Sequence, residues 1–147
     1  MITTIEAVNI LYGFVNTSVL MRDVKKPNGR LCKFQRIENS SKEDIVINTL
    51  GLNRDPVQKG VLLINIYVPN LDPTKIPDLG TDRSQPDNAR ILYLSRLVQS
   101  VFNEDGSEES EIWVNGDTSF EITTDDVFED NNNQHYISFR INFFTIK

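Results

Sequence analysis

GVLLINIYVPN, residues 60–70, is the strongest core-strand signal in the chain. Val61, Leu62, Leu63, Ile64, Ile66, Tyr67 and Val68 are apolar or β-prone, and only Asn65 interrupts them. A run this apolar, bounded by Gly60 and Pro69, reads as a central strand buried on both faces or nearly so. Pro69 has no N–H to give to a ladder, so regular pairing should stop there.

Shorter and more polar segments precede this strand. Thr3 and Glu6 form a capping box that opens a helix of about three turns, with Val8, Leu11, Tyr12 and Val15 at helical spacing. Gly13 weakens its end and Asn16-Thr17-Ser18 stops it. Pro27-Asn28-Gly29 separates residues 19–26 from residues 30–37, and Asn-Gly is a preferred tight-turn pair. A hairpin is therefore expected here, its second arm near a sheet edge. Residues 44–50 are rich in β-branched side chains and form the next strand.

After the central strand comes a loop, residues 69–86, with prolines at 69, 73, 77 and 86. Loops this long inside a compact domain are uncommon and usually functional or mobile. Ile76 and Leu79 are candidate anchors within it. Ser84 is expected to cap a second helix, with Pro86 in its first turn. Ala89, Leu92, Tyr93, Leu97, Val101 and Phe102 supply its stripe, widened by Leu94 and Val98. Arg90 and Arg96 fall off that stripe, toward solvent or a partner. Asn103 to Gly106 ends the helix, with Gly106 a candidate terminator.

The acidic residues from Glu104 to Glu111 read as a turn. Ile112-Trp113-Val114 and residues 120–123 are short strands around Asn115-Gly116. Asp125 to Asp130 reads as an acidic turn that carries Val127 and Phe128, followed by an Asn-rich turn. In residues 134–146, Ile137, Phe139, Ile141 and Phe143 alternate with polar positions, the period of a strand with one face on the core. Trp113 and the aromatic stripes read as packing rather than as a ligand box. The sum is one α+β domain, residues 1–147. Its mostly antiparallel twisted sheet has about five to seven strands, with two helices on one face, in the order α-β-β-β-β-α-β-β-β.

Composition narrows the function classes. The 147 residues suffice for one core without staples. A net charge of −6 argues against sequence-general nucleic-acid binding, which runs on Lys and Arg neutralising phosphates. Cys32 is the only cysteine, so neither an internal disulfide nor a cysteine zinc site is available. No signal-peptide pattern opens the chain, and no window has the roughly 18 apolar residues of a membrane span. No phosphate-cradling glycine loop or nucleophile elbow is present. Asp125, Asp126, Glu129, Asp130 and His135 crowd together, and a divalent-cation enzyme would have to use them. They lack the alternation of a calcium loop, so neither a metal nor a cofactor is expected.

The order of segments carries a resemblance. KEDIVINTL (residues 42–50) followed by VLLINIYVPN, the helix of residues 87–102, and the closing HYISFRINFF together resemble the tail-terminator and tail-completion (neck) proteins of long-tailed bacteriophages. That family implies a structural, non-enzymatic α+β subunit of a closed ring, typically a hexamer. Such a ring ends tail-tube growth and joins the tail to the head connector. It implies partners in its own copies and in tail-tube and head-connector proteins, with DNA passing unbound and no membrane. It implies assembly in the bacterial host cytoplasm and a place in the virion. The candidate subunit contacts are Asn28, Asp72, Lys75, Ile76, Leu79, Arg83 and Arg90. Two other readings share the sequence: a monomeric adaptor presenting an edge strand or loop, and the metal-dependent enzyme of residues 125–135.

Overall fold

The computed structural model describes residues 1–103 and 111–147. The Gly106 terminator and most of the acidic turn before Glu111 lie outside the described residues. The fold is α+β; the described residues form a six-stranded mixed sheet and three α-helices. The elements are α1 (Thr4–Asn16), α2 (Val19–Arg22), β1 (Leu31–Lys33), β2 (Ile45–Leu52), β3 (Gln58–Pro69), α3 (Asn88–Val101), β4 (Glu111–Val114), β5 (Thr118–Asp130) and β6 (Gln134–Thr145). The strands lie in the order β1-β2-β3-β6-β5-β4, antiparallel except for the parallel β1–β2 pair.

β3 is interior and ends at Pro69, as the missing N–H requires. Its two faces differ. Leu62, Ile64, Ile66 and Val68 are buried against the helices, whereas Val61, Leu63, Asn65 and Tyr67 on the other face are only half-buried. The expectation of burial on both faces is thus corrected, because no described helix covers the second face. β6 keeps the anticipated alternation, with Ile137, Phe139, Ile141 and Phe143 all buried. Ala7, Val8, Leu11 and Val15 of α1, Leu20 of α2, and Ile91, Leu94, Leu97, Val98 and Val101 of α3 close one hydrophobic cluster over that face. Phe14 of α1 bridges the layers, its ring 6.0 Å from Phe102 and 5.4 Å from Phe120.

The capping box forms as expected: Thr3 Oγ1 accepts from the Glu6 N–H, and Glu6 accepts from the Thr3 N–H. At α3 the cap is Asp87, which accepts from the Arg90 N–H, rather than Ser84. Ser84 instead bonds Asp82 inside the loop. The stripe of α3 is also rotated from the expected one, through Ile91 and Leu94, and Leu92 is left exposed. α3 is apolar on two adjoining sides, so periodicity alone did not decide which side packs.

The expected hairpin around Asn28-Gly29 does not form. Residues 19–22 are helical, and β1 pairs in parallel with β2 rather than antiparallel with its predecessor. Gly29 serves close approach instead of a turn: its N–H donates to the Glu43 carbonyl at 3.1 Å. A Cβ there would stand 2.4 Å from the Glu43 carbonyl carbon and 2.5 Å from the Asp44 nitrogen. The second turn pair is used as read, with Asn115 and Gly116 at φ of 55° and 73° between β4 and β5. Between β5 and β6, Asn132 and Asn133 take left-handed φ of 77° and 56°.

Candidate functional site

The sheet edges and the surfaces beside them are where this fold offers contacts. At the β1 end, two buried acids organise the backbone. Glu43 takes Arg90 through two bonds, Nε at 2.7 Å and the terminal nitrogen at 2.8 Å. It also accepts the Asn28 N–H at 3.2 Å, while its own N–H donates to Asn28 Oδ1 at 2.9 Å. Arg90 reaches on to the Lys26 carbonyl at 3.1 Å. Two of the candidate contact residues, Asn28 and Arg90, are therefore tied into the chain itself, strapping residues 26–30 to α3.

Asp44 accepts from the Arg30 N–H at 2.8 Å and from Arg36 Nε at 3.0 Å. Burial works against its charge. Hydrogen bonds from Ser40, the Arg30 N–H and Arg36 outweigh burial and hold its carboxyl below the usual range. Arg36 also donates to the Ser40 and Lys42 carbonyls and lies 4.0 Å over the Tyr67 ring. This fastening leaves two apolar side chains outside it, Phe34 and Ile37, at 43% and 52% exposure. Phe34 has φ of 67°, an outlier for a bulky side chain. Cys32 in β1 is half-buried, and burial raises its thiol.

The 69–86 loop is locally ordered. Its base is pinned by Asn70 Nδ2 to the Arg83 carbonyl and by the Leu71 N–H to the Gln85 carbonyl, both 2.9 Å. Asp72 and Asp82 each accept from a hydroxyl and an N–H two residues on, and these bonds hold both carboxyls below their ordinary range. Arg83 stands 3.9 Å from Asp72. A short 3-10 helix, Pro77–Leu79, follows Ile76, and Ile76 and Leu79 are half-buried. Lys75 is exposed.

The acids of residues 125–130 are not in a turn. They lie in β5, which runs 13 residues to Asp130. Strand alternation sends Asp125, Val127 and Glu129 to one face and Asp126, Phe128 and Asp130 to the other. His135 sits opposite Glu129, but its Nδ1 lies 2.6 Å from Asn70 Oδ1. Among the described residues no group of three His, Cys, Asp or Glu side chains converges to hold a metal ion.

The sequence reading missed what β5 exposes. β4 pairs only with Thr118, Ser119, Phe120 and Glu121. Beyond them, residues 123–130 have β6 on one side and no described strand on the other. Val127 and Phe128 are exposed there, at 42% and 43%. The open face of the sheet carries an aromatic row, Tyr67–Tyr136–Phe128, with successive centroids 5.2 and 5.3 Å apart. At its other end Trp113 is half-exposed beside Phe144, contrary to the packing reading, at a cavity of about 580 Å³. No strand had been expected beyond Thr123, because acids are poor strand formers; the length of β6 was the available signal for a long partner.

No protein-family model matches this chain, and no curated protein matches it. No helix among the described residues is long and apolar enough to cross a membrane.

Proposed function

We propose that this protein is a structural subunit of a phage or prophage virion. In this reading copies of it form a ring that terminates the tail tube and joins the tail to the head connector. The observation that carries the reading is the sheet: the described helices lie on one face, and the two edge strands are unlike, β1 paired in parallel and β4 antiparallel. Subunits with unlike edges join heterologously, and a heterologous contact that closes makes a ring. The order of segments, with its likeness to tail-terminator proteins, supplies the place of that ring in the virion.

Charge supports the same role. At −6 per chain, a ring presents repeated negative charge to DNA, which slides past rather than sticking. The ordered 69–86 loop, with Ile76 and Leu79 at its tip, is a second contact, toward a neighbouring copy or the tail tube. The role is one of assembly and not catalysis.

Electron microscopy of the purified protein tests this. Closed rings whose lumen admits a DNA duplex, with no retention of duplex DNA at physiological salt, are expected. Tight DNA binding, or particles without a lumen, would overturn the reading.

A further inference from the structure

We propose that the cavity of about 580 Å³ beside Trp113 is a binding site for a neutral saccharide, which lies on the indole and is fastened by the polar side chains around it. The site is on the sheet face opposite the helices and is independent of the assembly role.

Strand register builds the site. Lys59, Phe144, Ser119 and Trp113 stand abreast across β3, β6, β5 and β4. Val61, Asn142, Glu121 and Glu111 form the next row on the same face. The cavity between them has the size of a small-ligand site, roughly 300–1,000 Å³. Trp113 is 53% exposed. Phe144 meets it edge-on, with centroids 5.7 Å apart at 73°, which holds the indole and leaves much of it to a ligand.

Ser119 points to an occupant. It is 5% exposed and lines the cavity, yet its hydroxyl bonds no described residue. A buried hydroxyl without a partner is costly, and one that faces a cavity is satisfied by what fills it. Lys59, Glu111, Glu121 and Asn142, also in the lining, likewise make no side-chain hydrogen bond or ion pair among the described residues. Glu111 and Glu121 stand directly opposite each other, where like charges repel. A hydroxyl donating to both relieves that repulsion.

The chemistry of the lining selects the class of ligand. Lys59 only donates, the two carboxylates only accept, and Ser119 and Asn142 do both. An anion would meet two acids. A quaternary ammonium is drawn to the indole but repelled by Lys59. A hydrocarbon leaves every polar group of the lining unpaired. A pyranose brings an apolar C–H face for the indole and a rim of hydroxyls that donate to the carboxylates and accept from Lys59.

Trp113 is the only tryptophan in the chain, so tryptophan fluorescence reads this site alone. Titration with cellobiose, maltose, lactose and N,N′-diacetylchitobiose, each to about 10 mM, should give a saturable emission change with at least one of them. Glu121→Ala should weaken that binding about tenfold or more and Ser119→Ala about fivefold, with circular dichroism unchanged in both. Trp113→Ala, followed by calorimetry, should abolish it. No saturable change with any of these sugars overturns the proposal and leaves water as the occupant. Saturation by choline or inorganic phosphate in their place overturns it in favour of an ionic ligand. Sugar binding that survives both Glu121→Ala and Trp113→Ala lies elsewhere on the molecule and overturns it as well.

Discussion

The two ends of the sheet hold their charges in opposite ways. At the β1 end, acids are buried and fully engaged: Glu43 is 6% exposed and Asp44 2%, and each binds an arginine and backbone N–H groups. At the β5 end, Asp125, Asp126 and Glu129 are exposed. The first arrangement fixes a backbone that has little regular structure, since residues 23–30 contain neither helix nor strand. The second engages only near neighbours: Asp126 accepts the Val127 N–H at 2.8 Å, and Asp130 accepts from Gln134 Nε2 at 2.7 Å. What separates the two sets of acids is not residue type but whether, among the described residues, an arginine pairs with them, as Arg90 does with Glu43 and Arg36 with Asp44.

That contrast predicts a graded set of effects. The largest is at Glu43: Glu43→Ala leaves the half-buried Arg90 guanidinium uncompensated and releases Asn28, and should cost about 3–5 kcal/mol in urea unfolding. A loss below about 1 kcal/mol would mean the clamp is ornamental.

Next is the acid dependence. Asp44 has its folded pKa depressed below the unfolded value of about 3.9, so its contribution is full above that pH and is lost as pH falls through the folded pKa. Unfolding followed from pH 5 downward should therefore steepen below about pH 4, and Asp44→Asn should flatten that slope. An identical slope in the variant would place the acid sensitivity elsewhere.

The smallest effect is on the β5 edge. Asp125→Asn and Asp126→Asn should change the unfolding energy of the isolated chain by no more than about 0.5 kcal/mol. A loss comparable to that at Glu43 would erase the distinction between the two ends.

Much of this was readable from the residues. β3 and β6 follow from apolar runs and period-two alternation, and the capping box places α1 to the residue. The Asn115-Gly116 turn follows from left-handed tolerance. The identical signal at Asn28-Gly29 misled, because a glycine wanted for close approach to Glu43 looks the same in one dimension as a glycine wanted for a turn. The stripe of α3 was ambiguous because Leu92 and Ile91 are equally apolar, and only the sheet beneath selects between them. The acids of β5 argued for a turn by propensity, and pairing with the whole length of β6 overrode that. The candidate contacts divided in the same way. The loop residues Asp72, Lys75, Ile76, Leu79 and Arg83 lie outside the core, whereas Asn28 and Arg90 meet Glu43 across 15 and 47 residues of sequence. No local pattern encodes so distant a partner.

The central claim is that unlike edges join copies into a closed ring, and mass by light scattering across a concentration series tests it most directly. The account predicts one discrete multiple of 16.8 kDa that keeps its size as concentration rises, as closure requires. A mass of 16.8 kDa at every concentration, or one that grows without limit, would contradict it.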